Sequence, residues 1–210
     1  MQEFLGLFLH LDETLGSAIA AYGGWVYAGL FAVIFCETGL VVTPFLPGDS
    51  LLFAAGAFAA AGALDPWIVA GLVFAAAVLG DAANYRIGRK IGLKAENGKL
   101  LGLPIKKEYI EKTQRYYVKY GAKTIVLARF VPIVRTFAPF VAGVGAMPYA
   151  TFARYNIIGA LAWVGLFIPA GYFFGNIPVV KQNFELVILA IIFLSLLPPV
   201  VEYLRERRKG

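Results

Sequence analysis

The hydrophobic positions of the chain fall into long blocks separated by short polar segments. Residues 16–36 form the first block, with 21 positions and no charged side chain. A helix of this length rises about 30 Å, which matches the hydrocarbon thickness of a bilayer. Similar blocks lie at residues 67–90, 149–175 and 183–204. The pattern predicts an all-α integral membrane protein with about four transmembrane helices.

Two further apolar stretches, residues 38–64 and 124–147, are interrupted by proline and glycine. Proline removes a backbone donor and stops a helix from continuing, and glycine permits the turn. In the second stretch the predicted interruptions are Pro132 and Pro139. Broken backbone is tolerated at membrane depth only where protein or a water-filled cavity covers it. Each stretch therefore predicts a re-entrant hairpin.

The two broken stretches also resemble each other. Pro44-Phe-Leu precedes Asp49 in the first, and Pro132-Ile-Val precedes Arg135 in the second. Paired interrupted segments in the two halves of a chain indicate a transporter built from an inverted repeat, with its site between the halves. One half of this chain offers acids and the other offers arginines.

Composition supports one membrane domain and leaves no room for a soluble one. Of the 210 residues, 60% are hydrophobic and 15% are charged, whereas about 25% of the residues of a soluble domain are charged. The predicted parts are an interfacial segment (1–15), a first half (16–90), a basic cytoplasmic loop with an amphipathic helix (91–123), a second half (124–204) and a basic tail (205–210).

The basic residues predict the topology. Eleven Lys or Arg lie within residues 82–123, opposed by three Glu, and such a surplus marks the cytoplasmic side. The basic tail then lies on the same side, and an even number of crossings places the N-terminus there too, although residues 1–15 contain no Lys or Arg. Because this basic region adjoins membrane segments, we expect contact with anionic lipid and no binding of nucleic acid.

Four ionisable side chains lie in the broken stretches or directly before them: Glu37, Asp49, Arg129 and Arg135. A charge at membrane depth costs about 3 kcal/mol on insertion scales, so each is a candidate functional residue. Desolvation disfavours a carboxylate and nearby arginines favour it, so Glu37 and Asp49 are predicted to carry protons. The guanidinium fork matches phosphate oxygens, so the arginines are predicted to bind phosphate. The structural alternative is that the acids only neutralise the arginines or cap helix ends.

Other polar residues receive accessory roles. Asp81 and Arg86 are predicted to form a structural pair, and Asn156 is a further accessory candidate. His10 and Cys36 are the only residues of their types, so we expect no metal site and no cofactor. A hydrolytic enzyme would need a nucleophile with a base, and no such combination stands out. We therefore expect no enzymatic activity.

Several of these motifs, in this order and spacing, resemble the DedA family of membrane proteins. The matching motifs are Glu37-Thr-Gly with Pro47-Gly48-Asp49, Gly80-Asp81-Ala-Ala-Asn-Tyr85-Arg86-Ile-Gly88, Arg129-Phe-Val-Pro132-Ile-Val-Arg135, and Gly143-Val-Gly-Ala-Met147. The resemblance implies two facing re-entrant hairpins in the inner membrane of a bacterium. It also implies that Glu37 and Asp49 are the essential acids and that Arg129 and Arg135 are the essential arginines.

The resemblance implies movement of a phospholipid, or of a polyprenyl phosphate such as undecaprenyl phosphate, between leaflets and dependence on the proton motive force. The expected partners are therefore membrane lipids and protons. The alternatives are a proton-coupled exchanger of small ions and, less favoured, an intramembrane lipid-processing enzyme. The sequence leaves open which lipid is carried, the direction of transport and whether copies of the chain form a homo-oligomer.

Overall fold

The computed structural model describes residues 11–40, 48–96 and 121–183 and positions 186, 187, 189, 190 and 193. This part of the chain is helical, with short connections between the helices. The helices are α1 (Leu11–Tyr22), α2 (Trp25–Gly39), α3 (Gly48–Ala60), α4 (Pro66–Glu96), α5 (Lys123–Ala128), α6 (Pro132–Val144), α7 (Tyr149–Phe174) and α8 (Pro178–Gln182). The amphipathic helix predicted within 91–123 and the tail 205–210 lie outside the described residues, as does most of the predicted span 183–204.

Among the described residues, two helices are long and apolar enough to cross a membrane. These are Pro66–Gly92 within α4, with a mean hydropathy of 1.8, and Tyr149–Phe174, which is α7, with a mean hydropathy of 1.9. Both confirm spans predicted from the sequence. Helix α4 continues to Glu96, so residues 91–96, which were predicted to begin the loop, are helical, because Leu, Lys, Ala and Glu all favour a helix.

The start of α4 is fixed by Asp65. Its Oδ1 accepts hydrogen bonds from the backbone N–H groups of Trp67 and Ile68, both at 2.9 Å. Pro66 occupies the first helical position, where its missing N–H costs nothing. The sequence predicted this turn and helix start. Trp67 is exposed, as expected of a tryptophan at a membrane interface.

The apolar block 16–36 is divided between two helices, so the prediction of one continuous span there is wrong. Helix α1 ends at Tyr22 and α2 begins at Trp25. Gly23 lies between them with φ of +52°, and its N–H donates to the carbonyl of Ile19 at 2.9 Å. A left-handed glycine of this kind ends a helix, and a count of hydrophobic residues does not detect it.

The stretch 124–147 is broken at Pro132, as predicted. Helix α5 ends at Ala128, and Pro132 occupies the first turn of α6. Pro139 was also expected to interrupt a helix, but it lies inside α6. Proline removes only its own bond to the carbonyl four residues earlier, so the remaining bonds of α6 carry the helix past it. The re-entrant path of this stretch, like that of 38–64, stays a prediction.

The chain divides into two compact units. The first comprises Met1–Val33, Leu46–Phe74 and Ala162–Gly210. Within it, α3 and the later part of α7 approach closely at Gly56 and Gly171. A Cβ on Gly56 would overlap the carbonyl oxygen of Ile168, and one on Gly171 would overlap that of Phe53. Small residues allow such backbone contact between membrane helices.

The second unit comprises Ile34–Phe45 and Ala75–Leu161. Here α4 packs against α6, again through glycines: a Cβ on Gly88 would overlap the carbonyl oxygen of Phe140, and one on Gly143 would overlap that of Tyr85. The hydroxyl of Tyr85 donates to the carbonyl of Met147. Its ring stacks on Phe152 with centroids 4.5 Å apart. Packing and a hydrogen bond thus both hold Tyr85.

This close packing predicts that Gly143→Ala is destabilising. The added methyl would meet the Tyr85 carbonyl and would lie 2.7 Å from the backbone nitrogen of Arg89, so α4 and α6 must separate. We expect a loss of about 1–3 kcal/mol in the free energy of unfolding. The matched control is Gly165→Ala in α7, which has no atom within 4 Å of the added Cβ. Thermal unfolding in detergent measures both, and equal losses would contradict the proposed packing.

Candidate functional site

The second unit contains a buried ion pair between Glu37 and Arg135. Glu37 lies near the end of α2 and Arg135 lies in the first turn of α6. The Nη2 group of Arg135 donates to Oε1 of Glu37, and the two residues are 6% and 0% exposed respectively. Pairing of an arginine with this acid was the structural alternative predicted from the sequence, and this contact is present in the structure. Each charge neutralises the other in a setting where either alone would be costly.

A second buried pair joins Arg129 to Asp81. Arg129 follows α5, and its Nη2 group donates to Oδ2 of Asp81 on α4. The same nitrogen lies 2.5 Å from Oδ1 of Asn156 on α7. Asn156 in turn donates through Nδ2 to the carbonyl of Val78 at 3.1 Å. The accessory candidate Asn156 thus contacts a predicted phosphate-binding arginine directly.

The predicted pair of Asp81 with Arg86 is wrong. Arg86 is exposed, and its guanidinium carbon lies 5.8 Å from the ring centroid of Tyr149. Residues five positions apart on a helix point to different sides, whereas residues three or four apart share one face. The partner of Asp81 is instead Arg129, which lies 48 positions further along the chain.

The two pairs form one group, which we call the acid–arginine cluster: Glu37, Asp81, Arg129 and Arg135. Arg135 is close enough to act electrostatically on Asp81, and Glu37 is close enough to act on Arg129. With two carboxylates and two guanidiniums in their usual charge states, the cluster is formally neutral. Within the described ranges of the chain, no three Asp, Glu, His or Cys side chains are grouped as a metal site requires.

Asn84 ties the backbone around this cluster. It lies on α4 one turn after Asp81, and its Nδ2 donates to the carbonyls of Thr38 at 3.1 Å and Thr136 at 2.7 Å. These threonines directly follow Glu37 and Arg135 in the sequence. Sequence reasoning did not select Asn84. The signal for it was its position three residues after Asp81, directly after the apolar first part of α4, which places both side chains on one face of the helix.

Asp49 belongs to the first unit. It lies in the first turn of α3, where its Oδ1 accepts a hydrogen bond from Nε1 of Trp163 at 2.8 Å. Asp49 is 6% exposed and Trp163 is fully buried. The sequence selected Asp49 as a proton-carrying candidate but did not assign its tryptophan partner. This hydrogen bond fixes the orientation of the Asp49 carboxylate and so defines where its negative charge lies.

The buried Asp81–Arg129 pair predicts strong coupling between its members. Asp81→Asn leaves the charge of Arg129 without its carboxylate, and we expect a loss of about 3–5 kcal/mol in the free energy of unfolding. Adding Arg129→Gln to that variant removes the uncompensated charge, so the double variant should lose much less than the sum of the two single changes. Unfolding titrations in mixed detergent measure the stabilities of the parent, the two single variants and the double variant, which together form a double-mutant cycle.

Arg86→Gln is the control, because this exposed arginine lies on the same helix as Asp81 and we expect it to change stability by less than about 0.5 kcal/mol. Additive losses in the Asp81 and Arg129 variants would contradict a coupled pair.

Comparison with known proteins gives consistent matches over most of the chain. Residues 46–173 match the family described as the VTT domain. The chain is 54% identical to "Protein DedA" of Escherichia coli, over 97% of this chain and 94% of that protein. It is 44% identical to an uncharacterized membrane protein of Mycobacterium leprae, over 80% of this chain and 75% of that protein.

A further relative, "Inner membrane protein YghB" of Escherichia coli, is 37% identical over 82% of this chain and 77% of that protein. No solved structure is a significant match. The matched domain includes Asp49, Asp81, both cluster arginines and Asn156. Glu37 precedes the matched domain, and the alignment with the first relative covers 97% of the chain.

Proposed function

This chain belongs to the DedA family of VTT-domain membrane proteins, and on that premise we propose that it moves a phosphate-bearing lipid between the leaflets of the cell membrane. The substrate class is a phospholipid or a polyprenyl phosphate such as undecaprenyl phosphate. The observation that carries the proposal is the pair of buried arginines, each held by a carboxylate. The step is transport, with no covalent change to the lipid.

The arginines supply the phosphate-binding groups. A guanidinium presents its N–H donors in a planar fork that matches two phosphate oxygens, and it stays charged at any physiological pH. In the closed cluster that fork is occupied by Glu37 at Arg135 and by Asp81 at Arg129. Breaking such a pair without a replacement costs about 3–5 kcal/mol. A lipid phosphate is a suitable replacement, because it restores a negative partner to the arginine.

Protons enter through the displaced acids. A carboxylate that has lost its arginine is an unpaired charge in a buried site, and a proton removes that charge. Glu37 and Asp49 are the proposed proton carriers. Displacement from an arginine applies to Glu37 and, through Arg129, to Asp81 as a third acid, whereas the contact of Asp49 is with Trp163. Transport in this scheme is coupled to protons, because phosphate binding and protonation of an acid occur together.

The proposed membrane arrangement follows the sequence. Residues 38–64 and 124–147 form facing re-entrant hairpins of an inverted repeat, and the basic segment and both termini lie in the cytoplasm. The break between α5 and α6, with Pro132 in the first turn of α6, supports this path for the second hairpin. Interrupted helices of this kind place helix ends and polar side chains near the middle of the membrane, where a transported group passes.

Reconstitution into liposomes tests the function directly. Purified protein is tested with a panel of labelled phospholipids and polyprenyl phosphates, with and without a pH gradient, and ion fluxes are measured in the same vesicles. We expect lipid movement that depends on pH in the parent protein. Glu37→Gln and Asp49→Asn keep side-chain size and mimic the protonated acid, so both variants should lose the pH dependence.

Asp65→Asn is the matched control for these amide variants. Asp65 is exposed and caps α4, and asparagine caps helices equally well, so its pH profile should equal that of the parent. Unfolding in detergent is measured for every variant. If Glu37→Gln and Asp49→Asn both keep the parent's pH profile, the acids are structural and proton coupling is wrong. If ions move and no lipid does, the protein is the ion exchanger.

The phosphate-binding role of Arg135 is tested by Arg135→Lys. Lysine keeps the charge but offers a point charge in place of the fork. Losing one charge-assisted hydrogen bond corresponds to about 1.5–3 kcal/mol, so we expect transport to fall roughly tenfold or more. Arg154→Lys, at an exposed position on α7, is the control and should be unaffected. Full activity of the Arg135→Lys variant would leave Arg135 with a charge-balancing role only.

A further inference from the structure

The carboxamide nitrogen of Asn84 donates both of its hydrogens, whereas its carboxamide oxygen accepts no hydrogen bond from the described residues. Asn84 is completely buried. Both hydrogens of its Nδ2 are directed to backbone carbonyls, those of Thr38 and Thr136. Among the residues that the structure describes, none places a donor within hydrogen-bonding distance of its Oδ1. A buried acceptor without a donor is costly, and in a native protein it calls for an explanation, such as an ordered water, a ligand or a functional step.

The orientation of this side chain is fixed by its surroundings. Rotating the carboxamide by half a turn would bring Oδ1 against the two carbonyl oxygens, and none of these three oxygens can donate a hydrogen. The nitrogen must therefore face Thr38 and Thr136. The oxygen remains as the only group that Asn84 can offer to a third partner, and that partner must be a donor.

The position of this acceptor is set relative to the Glu37–Arg135 pair. Thr38 follows Glu37 at the end of α2, and Thr136 follows Arg135 in α6. Through the carbonyls of these two threonines, Asn84 is attached to the backbone that carries both members of the pair. Its free oxygen therefore keeps a defined position relative to the backbone that carries Glu37 and Arg135.

We propose that Oδ1 of Asn84 is a specificity-determining acceptor, which receives a hydrogen bond from an O–H or N–H group of the transported lipid. This inference rests on the proposed function. Ionised phosphate oxygens and ester oxygens only accept hydrogen bonds, and in the proposed function the arginines donate to them. Asn84 adds the opposite requirement, so the favoured substrate carries a donor: the P–OH of a singly protonated phosphate monoester, or an ammonium or hydroxyl of a headgroup.

Access to Asn84 requires the same opening as access to Arg135. Glu37 and Asn84 are both fully buried, so a lipid reaches either only when the closed pair separates. A phosphate that has replaced Glu37 at Arg135 then lies near an acceptor already positioned by the neighbouring backbone. A headgroup with donors can satisfy that acceptor, and a headgroup without donors leaves it unmet. The difference in binding is that of one hydrogen bond.

Two pairs of matched lipids test the proposal in the reconstituted full-length protein. Phosphatidic acid is compared with phosphatidylmethanol at about pH 5, below the second pKa of a phosphate monoester, because the methyl ester lacks the P–OH. Phosphatidylethanolamine is compared with phosphatidylcholine, because N-methylation removes the N–H donors and keeps the charge. In the parent we expect the donor-bearing member of at least one pair to move about three- to tenfold faster, which is the value of one hydrogen bond. The pair that shows the preference identifies the source of the donor.

Asn84→Leu should bring the ratio of the two transport rates, donor-bearing lipid over its matched partner, to about one, because the acceptor is removed. A residue with a structural role alone would slow both members of a pair by the same factor and leave the ratio unchanged. Asn176→Leu is the control variant, since Asn176 also donates from Nδ2 to a backbone carbonyl, that of Ala57 at 2.9 Å, and its loss should not change the ratio.

Each outcome decides one question. If the parent moves lipids but prefers neither member of either pair, the inference on Asn84 is wrong, and this measurement needs no variant to fold. A preference that persists in Asn84→Leu also overturns it. If the parent moves no lipid at all, the proposed function itself fails.

Discussion

The described part of the second unit depends on one constraint, which is that each of its buried arginines has a carboxylate as its partner. Arg129 and Arg135 are each no more than 6% exposed, and an isolated charge in such a place would be prohibitively costly. Glu37 near the end of α2 and Asp81 within α4 supply the two carboxylates. Helices α2, α4 and α6 and the segment after α5 must therefore be arranged so that these four side chains meet. Exposed charges would impose no such requirement.

The glycines make this arrangement possible. Side chains that must pair at hydrogen-bonding distance need helices whose backbones lie close together, and apolar attraction does not draw helices together within lipid. A Cβ on Gly39 would lie 3.3 Å from the Cα of Gly80, so α2 and α4 are nearly in backbone contact beside Glu37. Gly88 and Gly143 do the same for α4 and α6. Asn84 then joins the three helices through two backbone carbonyls, which no apolar residue could do.

The sequence predicts those features that depend on local composition. Length and hydropathy are enough to predict α4 and α7. The sequence Asp65-Pro66 is enough to predict where α4 starts. The choice of Glu37, Asp49, Arg129 and Arg135 follows from the cost of charges in apolar segments. The partners of these charges are harder to predict, because they lie far away in the sequence. Asp81 pairs with Arg129 and not with Arg86, which is five positions away on the same helix. The break between α1 and α2 was not predicted, because Gly23 ends α1 through its backbone conformation and a hydrophobicity pattern does not detect this.

The neutrality of the cluster constrains any transport step assigned to it. With both pairs closed, the formal charges of two carboxylates and two guanidiniums cancel, and the forks of both cluster arginines are directed to carboxylates. If a phosphate with one negative charge takes the place of Glu37 at Arg135, the buried site gains that charge unless a proton neutralises Glu37. Since an uncompensated buried charge is strongly destabilising, the proposed function would link the entry of one phosphate charge to the uptake of one proton. Under the proposed function, this charge balance would by itself link lipid movement to protonation of Glu37, without a separate gating element.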